Sequence, residues 1–291
     1  MSQQSWSFIE RARNVHRLKV ILPSVKDEQW VLLQSDVHWD NPLCDRVLLK
    51  KHWDLAYQRN APILDNGDFF CAMQGKWDKR AVKSDLRVEH QRADYLDALV
   101  QTATDALNPY RHLLTLRGQG NHETSILKKH ETNLTERLVE RLKVRGAAHV
   151  AVGGYSGFVV IDVENCGRRF PLKLFYHHGY GGGGPVTRGV IQTNRQAVYL
   201  ADADLVWQGH THDAYHLPIA RVKLNNECSE IVHTRQEHIR TPGYKEEYRD
   251  GYGGWHIERG GPPKPIGAMW LKLTMTRSHH ATVEYELTEA R

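Results

Sequence analysis

The chain has 291 residues, 40% of them apolar and 25% charged. That composition excludes a disordered protein, and the length is near the upper limit for a single hydrophobic core. A formal charge of +5 is mild for this size and suits an anionic substrate without demanding nucleic acid.

The first twenty residues hold no apolar h-region and no small-residue cleavage site, so a secretory leader is not expected. No stretch approaches the ~18 consecutive apolar residues of a membrane span, and a cytoplasmic location is the expectation. Cys44, Cys71, Cys166 and Cys228 lie far apart with no CxxC pair, which reads as reduced cysteines rather than a disulfide framework.

In chain order, residues 7–18 read as a short amphipathic helix. Trp30-Val31-Leu32-Leu33 is a buried strand that runs into Asp36 and His38, and 45–59 is a helix with Val47, Leu48, Leu55 and Ala56 on one side. Pro62-Ile63-Leu64 starts a second strand ending in Asn66-Gly67-Asp68, and a polar helix over about 84–106 is closed by Asn108-Pro109. Leu113–Leu116 is a third strand, followed from Thr124 to about Lys143 by another helix. Three strand–loop–helix alternations predict a parallel α/β layer. Beyond about 147 the texture changes to short apolar runs at 150–152, 158–163, 172–176, 205–207 and 215–222, with one helix over 187–200 whose N-cap would be Thr187. The C-terminal runs 269–275 and 281–287, joined by a turn at Ser278-His279-His280, predict a hairpin and a second sheet packed on the first. We read 1–291 as one domain, with a motif core over 30–224, an irregular loop over 241–266 rich in Gly, Pro and aromatic residues, and the hairpin over 268–288.

Five polar blocks each follow an apolar run: Asp36-Val37-His38, Gly67-Asp68, Gly120-Asn121-His122-Glu123, His177-His178-Gly179 and Gly209-His210-Thr211-His212. The carboxyl ends of strands in an open α/β sheet converge on one edge, where ligands bind. Singly, Asp-x-His and Gly-Asp are common turn-like strings; all five in this order, each after a predicted strand, are a strong signal. Carboxylate and amide oxygens mixed with imidazoles suit Mn, Fe or Zn.

In these five blocks, spanning residues 36–212, the sequence resembles the calcineurin-like metallophosphoesterases, whose pattern is Asp-x-His, Gly-Asp, Gly-Asn-His-(Asp/Glu), His-Gly and Gly-His-x-His. The resemblance implies an α/β fold, a four-layer αββα sandwich with two mixed sheets flanked by helices. It implies two divalent metal ions, Mn first and Fe or Zn next, one held by Asp36, His38 and His212, the other by Asn121, His178 and His210, with Asp68 bridging. Such a pair of ions makes hydroxide available at neutral pH and polarises the phosphoryl oxygens. His122 would protonate the leaving oxygen, and Glu123 either orients it or is a surface residue at a helix start. The family places its histidine directly before Gly, which favours His178 over His177; on a strand the two face opposite sides. The stretch Gly179–Arg195 and the run Ala201–Asp204 resemble a phage or prophage branch of the family.

Gly179–Gly184 satisfies GxGxxG, but Pro185 and a metal-type histidine flank it, so a dinucleotide site is rejected in favour of a loop beside the metals. Arg188 is the candidate phosphate clamp and Asn121 a second substrate contact; Arg195 follows on the same helix. The mixed-charge stretch 76–92 and the aromatics Trp77, Tyr180, Tyr252 and Trp255 are compatible with nucleic acid but are more simply a solvated helix face and packed loops. After Gly67-Asp68 the chain reads Phe69-Phe70-Cys71-Ala72, where protein Ser/Thr phosphatases of the family have Val-Asp-Arg-Gly. That departure favours a phosphodiesterase on nucleic acid or a nucleotide, ahead of a phosphomonoesterase on a small substrate. A non-enzymatic scaffold, as in the retromer subunit of this fold, comes third.

Overall fold

The structure, a computed structural model, describes residues 5–72, 86–182, 189–225, 227–253, 255–276 and 282–291. Its first element corrects the sequence reading: residues 7–18 form no helix but a hairpin of β1 (Trp6–Ala12) and β2 (Val15–Ile21). Trp6, Phe8, Leu18 and Val20 are buried, a period of two that belongs to a strand, and Asn14 supplies the left-handed residue of the turn with φ 59°.

The next elements follow the expected alternation: β3 (Glu28–Gln34), α1 (Arg46–Gln58), β4 (Ile63–Asp65), α2 (Tyr95–Leu107) and β5 (Leu114–Arg117). Asp45 caps α1 by accepting from the amides of Val47 and Leu48. The face that α1 buries is Leu49, His52, Trp53 and Ala56, spaced i, i+3, i+4, i+7, whereas Val47 is exposed. The helix expected over 84–106 is, in its described part, a 3-10 turn at Val88–His90 followed by α2. The single helix expected from Thr124 is two, α3 (Asn121–His130) and α4 (Leu134–Val144). Glu131 at φ 54° stops the first, and Asn133 caps the second by accepting from Glu136 N.

The remainder comprises β6 (Ala151–Val152), β7 (Ser156–Asn165), β8 (Arg168–His177), α5 (Val190–Tyr199), β9 (Leu205–Gln208), β10 (Tyr215–Leu224), β11 (Ile231–Arg240), a single turn α6 (Trp255–Glu258), β12 (Ala268–Met275) and β13 (Val283–Ala290). α5 starts after Gly189; Thr187 and the turn at 278–280 lie outside the described residues.

Two mixed sheets result, ordered β13-β12-β3-β4-β5-β6 and β1-β2-β7-β8-β9-β11-β10. The parallel run β3–β6 is the predicted α/β layer, but the C-terminal hairpin pairs with β3 in that same sheet. The second sheet is instead completed by the N-terminal hairpin, through β2 and β7. Alternate residues of β8 and β9 divide cleanly: Leu174, Tyr176, Leu205 and Trp207 enter the core shared with the first sheet, while Phe175 and Val206 pack outward with Leu200 and Ala203 at the end of α5. α1 packs on β3 and α4 on β6, with α2 against α4, so helices flank the sheets. Each large apolar side chain sealed between the layers contributes about 1.5–3 kcal/mol. Among the described residues no helix is long and apolar enough to cross a membrane.

Candidate metal centre

The ends of β3, β4, β5, β8 and β9 deliver the five blocks to one place. Asp36, His38, Asp68, His210 and His212 all sit at left-handed φ, between 50° and 72°. Non-glycine residues held there cost about 1–3 kcal/mol each and concentrate at functional sites. Backbone contacts enforce the conformation: Asp36 N donates to Gly67 O (3.0 Å) and His38 N to Asp68 O (3.1 Å).

The side chains form two clusters. Ligand atoms of Asp36, His38 and His212 lie within 4.8 Å of one another, and so do those of Asp68, His178 and His210. In the first, His38 Nε2 faces His212 Nε2 at 3.2 Å, and His212 Nε2 is 3.5 Å from Asp36 Oδ1. In the second, His178 Nε2 is 3.1 Å from Asp68 Oδ2, and Asn121 Oδ1 lies 3.2 Å from His178 Nε2 and 2.7 Å from His210 Nδ1. The clusters adjoin, with His178 Nε2 4.0 Å from Asp36 Oδ1.

His178, not His177, points inward. Its Nδ1 donates to the Asn66 carbonyl at 2.8 Å, which aims Nε2 at Asp68 and Asn121. His177 accepts from Gly179 N at 2.9 Å and packs against Tyr155 and Tyr180.

Burial resists ionisation of Asp36 and Asp68, but the hydrogen bond from His212 and the charge of His178 outweigh it at Asp36, and the charges of His178 and His122 do so at Asp68. Both carboxyls are held below the usual range. Burial alone would lower His178, yet Asp68 and Asp36 push it up to about 10. His38 goes the other way: burial, then His122 and His212, keep it well below the ordinary imidazole value. Two buried carboxylates, an amide oxygen and imidazole lone pairs converging this closely fit a divalent cation, which would take over the neutralising role of the His178 proton.

Supporting residues surround the clusters, and of them Asp65, Arg117 and Ser35 lie outside the five blocks. Glu123 is buried rather than on the surface; it accepts from the amides of Asp68 (3.0 Å), Phe70 (2.9 Å) and Gly120 (2.9 Å), and burial followed by the Asp68 charge pushes it up to about 8. Asp65 pairs with buried Arg117 (3.1 Å) and accepts from Gln34 Nε2 (2.7 Å), locking the ends of β3, β4 and β5 together. Ser35 Oγ donates to Asp36 Oδ2 at 2.5 Å. Two motif glycines are sterically required: a Cβ at Gly120 would lie 2.0 Å from Asp68 Oδ1, and one at Gly209 would lie 2.3 Å from Asp36 Oδ2.

His122 stands beside both clusters, with Nδ1 2.5 Å from the Cys71 carbonyl and Nε2 3.8 Å from Asp68 Oδ2. Its ring meets His38 edge-on at 4.9 Å. Arg188 and Trp77 lie outside the described residues. Tyr252 is 97% exposed rather than packed.

No family model matches the chain, and no curated protein does. Solved structures that match include a predicted phosphoesterase from Streptococcus pneumoniae (10% identity, 90% of this chain and 98% of that one, TM-score 0.32). Vps29 from Chaetomium thermophilum matches at 7% identity (90% and 96%, TM-score 0.35), and a metallophosphoesterase from Sphaerobacter thermophilus at 14% (90% and 90%, TM-score 0.34). At such low identities and scores these likenesses add nothing to a functional reading, which rests on the site. The five blocks that carry the sequence's resemblance to the calcineurin-like metallophosphoesterases thus bring their donors together in two adjoining clusters at strand ends of the two mixed sheets.

Proposed function

We propose that the protein is a two-metal phosphoester hydrolase that prefers phosphodiesters, with nucleic acid or a nucleotide as the substrate class. The observation that carries this reading is the pair of adjoining donor clusters with a free imidazole nitrogen, His122 Nε2, at their edge. Asp36, His38 and His212 would hold one ion, Asn121, His178 and His210 the other, and Asp68 would be shared. The mixed oxygen and nitrogen donors favour Mn, with Fe or Zn as alternatives. When bound, the ions would acidify water and polarise the phosphoryl oxygens.

The chain's own groups then have distinct tasks. His122 Nδ1–H donates to the Cys71 carbonyl, which turns Nε2 to the site; the imidazolium form, protonated at both nitrogens, would pass its Nε2 proton to the leaving oxygen as its bond to phosphorus breaks. Asn121 offers Oδ1 to the second cluster and keeps its Nδ2–H donors for a phosphoryl oxygen. Glu123 holds the backbone of Asp68 and Gly120 in register beneath the reacting groups. Arg188, from the sequence alone, remains the candidate phosphate clamp.

Diester preference rests on the run Phe69-Phe70-Cys71-Ala72, which is buried and holds no arginine where protein phosphatases of the family have Val-Asp-Arg-Gly. A dianionic monoester gains more from such a guanidinium than a monoanionic diester does. With Mn²⁺ supplied, the protein should hydrolyse bis-p-nitrophenyl phosphate faster than the monoester. A faster monoester would overturn the preference, and no turnover above a metal-free control across Mn, Fe and Zn would overturn the hydrolase.

A further inference from the structure

The turn that follows Asp68 holds a group that phosphoester hydrolysis does not use. Asp40 accepts from Cys71 N (2.6 Å), Ala72 N (2.9 Å) and the Tyr95 hydroxyl (2.9 Å), so the turn is pinned from beneath. Ala72 takes a left-handed φ of 47° as a result. Cys71 is thereby turned toward the centre: its Sγ and one nitrogen each of His38 and His122 lie within 4.8 Å of one another.

These three donors are prepared for a ligand. Cys71 is 3% and His38 2% exposed. The sulfur receives a single long hydrogen bond, from Asn41 Nδ2 at 3.5 Å, among the described residues. His38 Nδ1 is buried without a hydrogen-bond partner, and His122, with Nδ1 committed to the Cys71 carbonyl, has Nε2 to give. One thiol and two imidazoles are a donor set for Zn²⁺, Cd²⁺ or Cu⁺ and a poor one for Mn²⁺ or Mg²⁺. Tetrahedral zinc sets such donors about 3.5 Å apart, within the 4.8 Å that encloses these three.

We infer that Cys71, His38 and His122 form a further cation site, selective for thiophilic ions, whose occupancy is incompatible with hydrolysis. An ion there bonds to sulfur and to His122 Nε2, releasing to solvent the thiol proton and, from the imidazolium form, the Nε2 proton. Through Nδ1 it draws on the His38 ring whose Nε2 faces His212, and it ties up the nitrogen that His122 needs for the leaving group. The site itself stands apart from the hydrolase reading; its inhibitory consequence rests on that reading.

The test uses the full chain carrying Cys166→Ser and Cys228→Ser, which removes the two exposed thiols. Titration with Cd²⁺ should raise a sulfur-to-cadmium charge-transfer band in the near ultraviolet, and Cys71→Ser should abolish it. Cadmium NMR of the Cys71-containing protein should show a resonance at the deshielded position of sulfur ligation, a readout that needs no Cys71 variant. A spectrum holding only nitrogen- and oxygen-ligated cadmium, or a band that persists undiminished in Cys71→Ser, would overturn the site. In Mn-supported turnover, Cys71→Ser keeps the backbone carbonyl that orients His122 and should raise the half-inhibitory Zn²⁺ concentration about tenfold or more. Equal inhibition of both proteins would overturn the regulatory role. A chain with no turnover at all would overturn the hydrolase reading and the inhibition with it, while the cadmium spectra still decide the site.

Discussion

The two donor clusters adjoin yet are braced differently. Around Asp68, His178 and His210, most groups are fixed from behind: His178 Nδ1 by the Asn66 carbonyl, Asp68 Oδ1 by the His122 amide, and Asn121 Oδ1 between the two imidazoles. Around Asp36, His38 and His212, the carboxylate is as firmly held, by Ser35 and the His210 amide, but His38 Nδ1 has no partner and two imidazole nitrogens confront each other at 3.2 Å. The difference is one of preorganisation. The second cluster has its donor atoms held in position before an ion arrives and has only the His178 proton to displace, whereas the first needs the ion to order His38, so binding should occur in two steps with the second cluster filling first.

The largest expected effect lies outside both clusters. His122→Ala should lower turnover of diesters with poor leaving groups by about 10²–10⁴-fold while leaving both binding steps unchanged; unchanged turnover would remove the acid role. His178→Ala should weaken the tight step by about 100-fold or more, beyond the usual cost of losing a mere supporting contact, and calorimetry should show His38→Ala affecting the weak step instead. Equal effects of the two on the tight step would break the distinction between the clusters. Ser35→Ala, which removes one hydrogen bond to Asp36, should weaken only the weak step, by about tenfold.

The smallest effect is a pH dependence with one source behind the first cluster. His52 Nδ1 sits 2.8 Å from the Tyr244 hydroxyl, and Tyr244 N donates to the Asp36 carbonyl at 2.9 Å. Burial lowers His52, and likewise His238 on β11, from 6.5 to about 4. Between those values the unfolded chain binds protons that the folded chain refuses, so stability is full above the window and declines as pH falls through it. Because Glu123, pushed up to about 8, acts in the opposite sense over the same range, the readout is a difference: from pH 7 to 4 thermal melts of chelator-treated protein should lose less stability in His52→Gln than in the parent chain, and identical slopes would overturn the His52 contribution.

The site is far more legible in the sequence than the sheet topology. Four of the five blocks join metal-type polar residues at a strand end to a glycine, and Gly120 and Gly209 meet carboxylates within 2.0–2.3 Å of a Cβ position. The N-terminal hairpin reads as a helix because its outward face is charged: Glu10, Arg11, Arg13 and Lys19 between the buried residues imitate a polar helix face, while the decisive Trp6, Phe8, Leu18 and Val20 alternate. β11 leaves little trace in the sequence for a related reason. Its first half, Ile231–Arg235, alternates exposed with half-buried residues, none of them fully buried, and carries no hydrophobic alternation. The break between α3 and α4 is marked in the sequence, by Asn133 three residues before Glu136, a cap signal inside an otherwise periodic stretch. Glu123, Asp65 and Arg117 could not be read as buried, since a charged side chain declares its partner only once the strands are side by side.

The most direct test of the two-cluster account is anomalous diffraction from crystals of the full chain soaked in Mn²⁺. Two anomalous peaks are expected, one coordinated by Asp36, His38 and His212 and one by Asn121, His178 and His210, with Asp68 touching both and the second filling at the lower manganese concentration. A single peak, or manganese ligated by other residues, would contradict it.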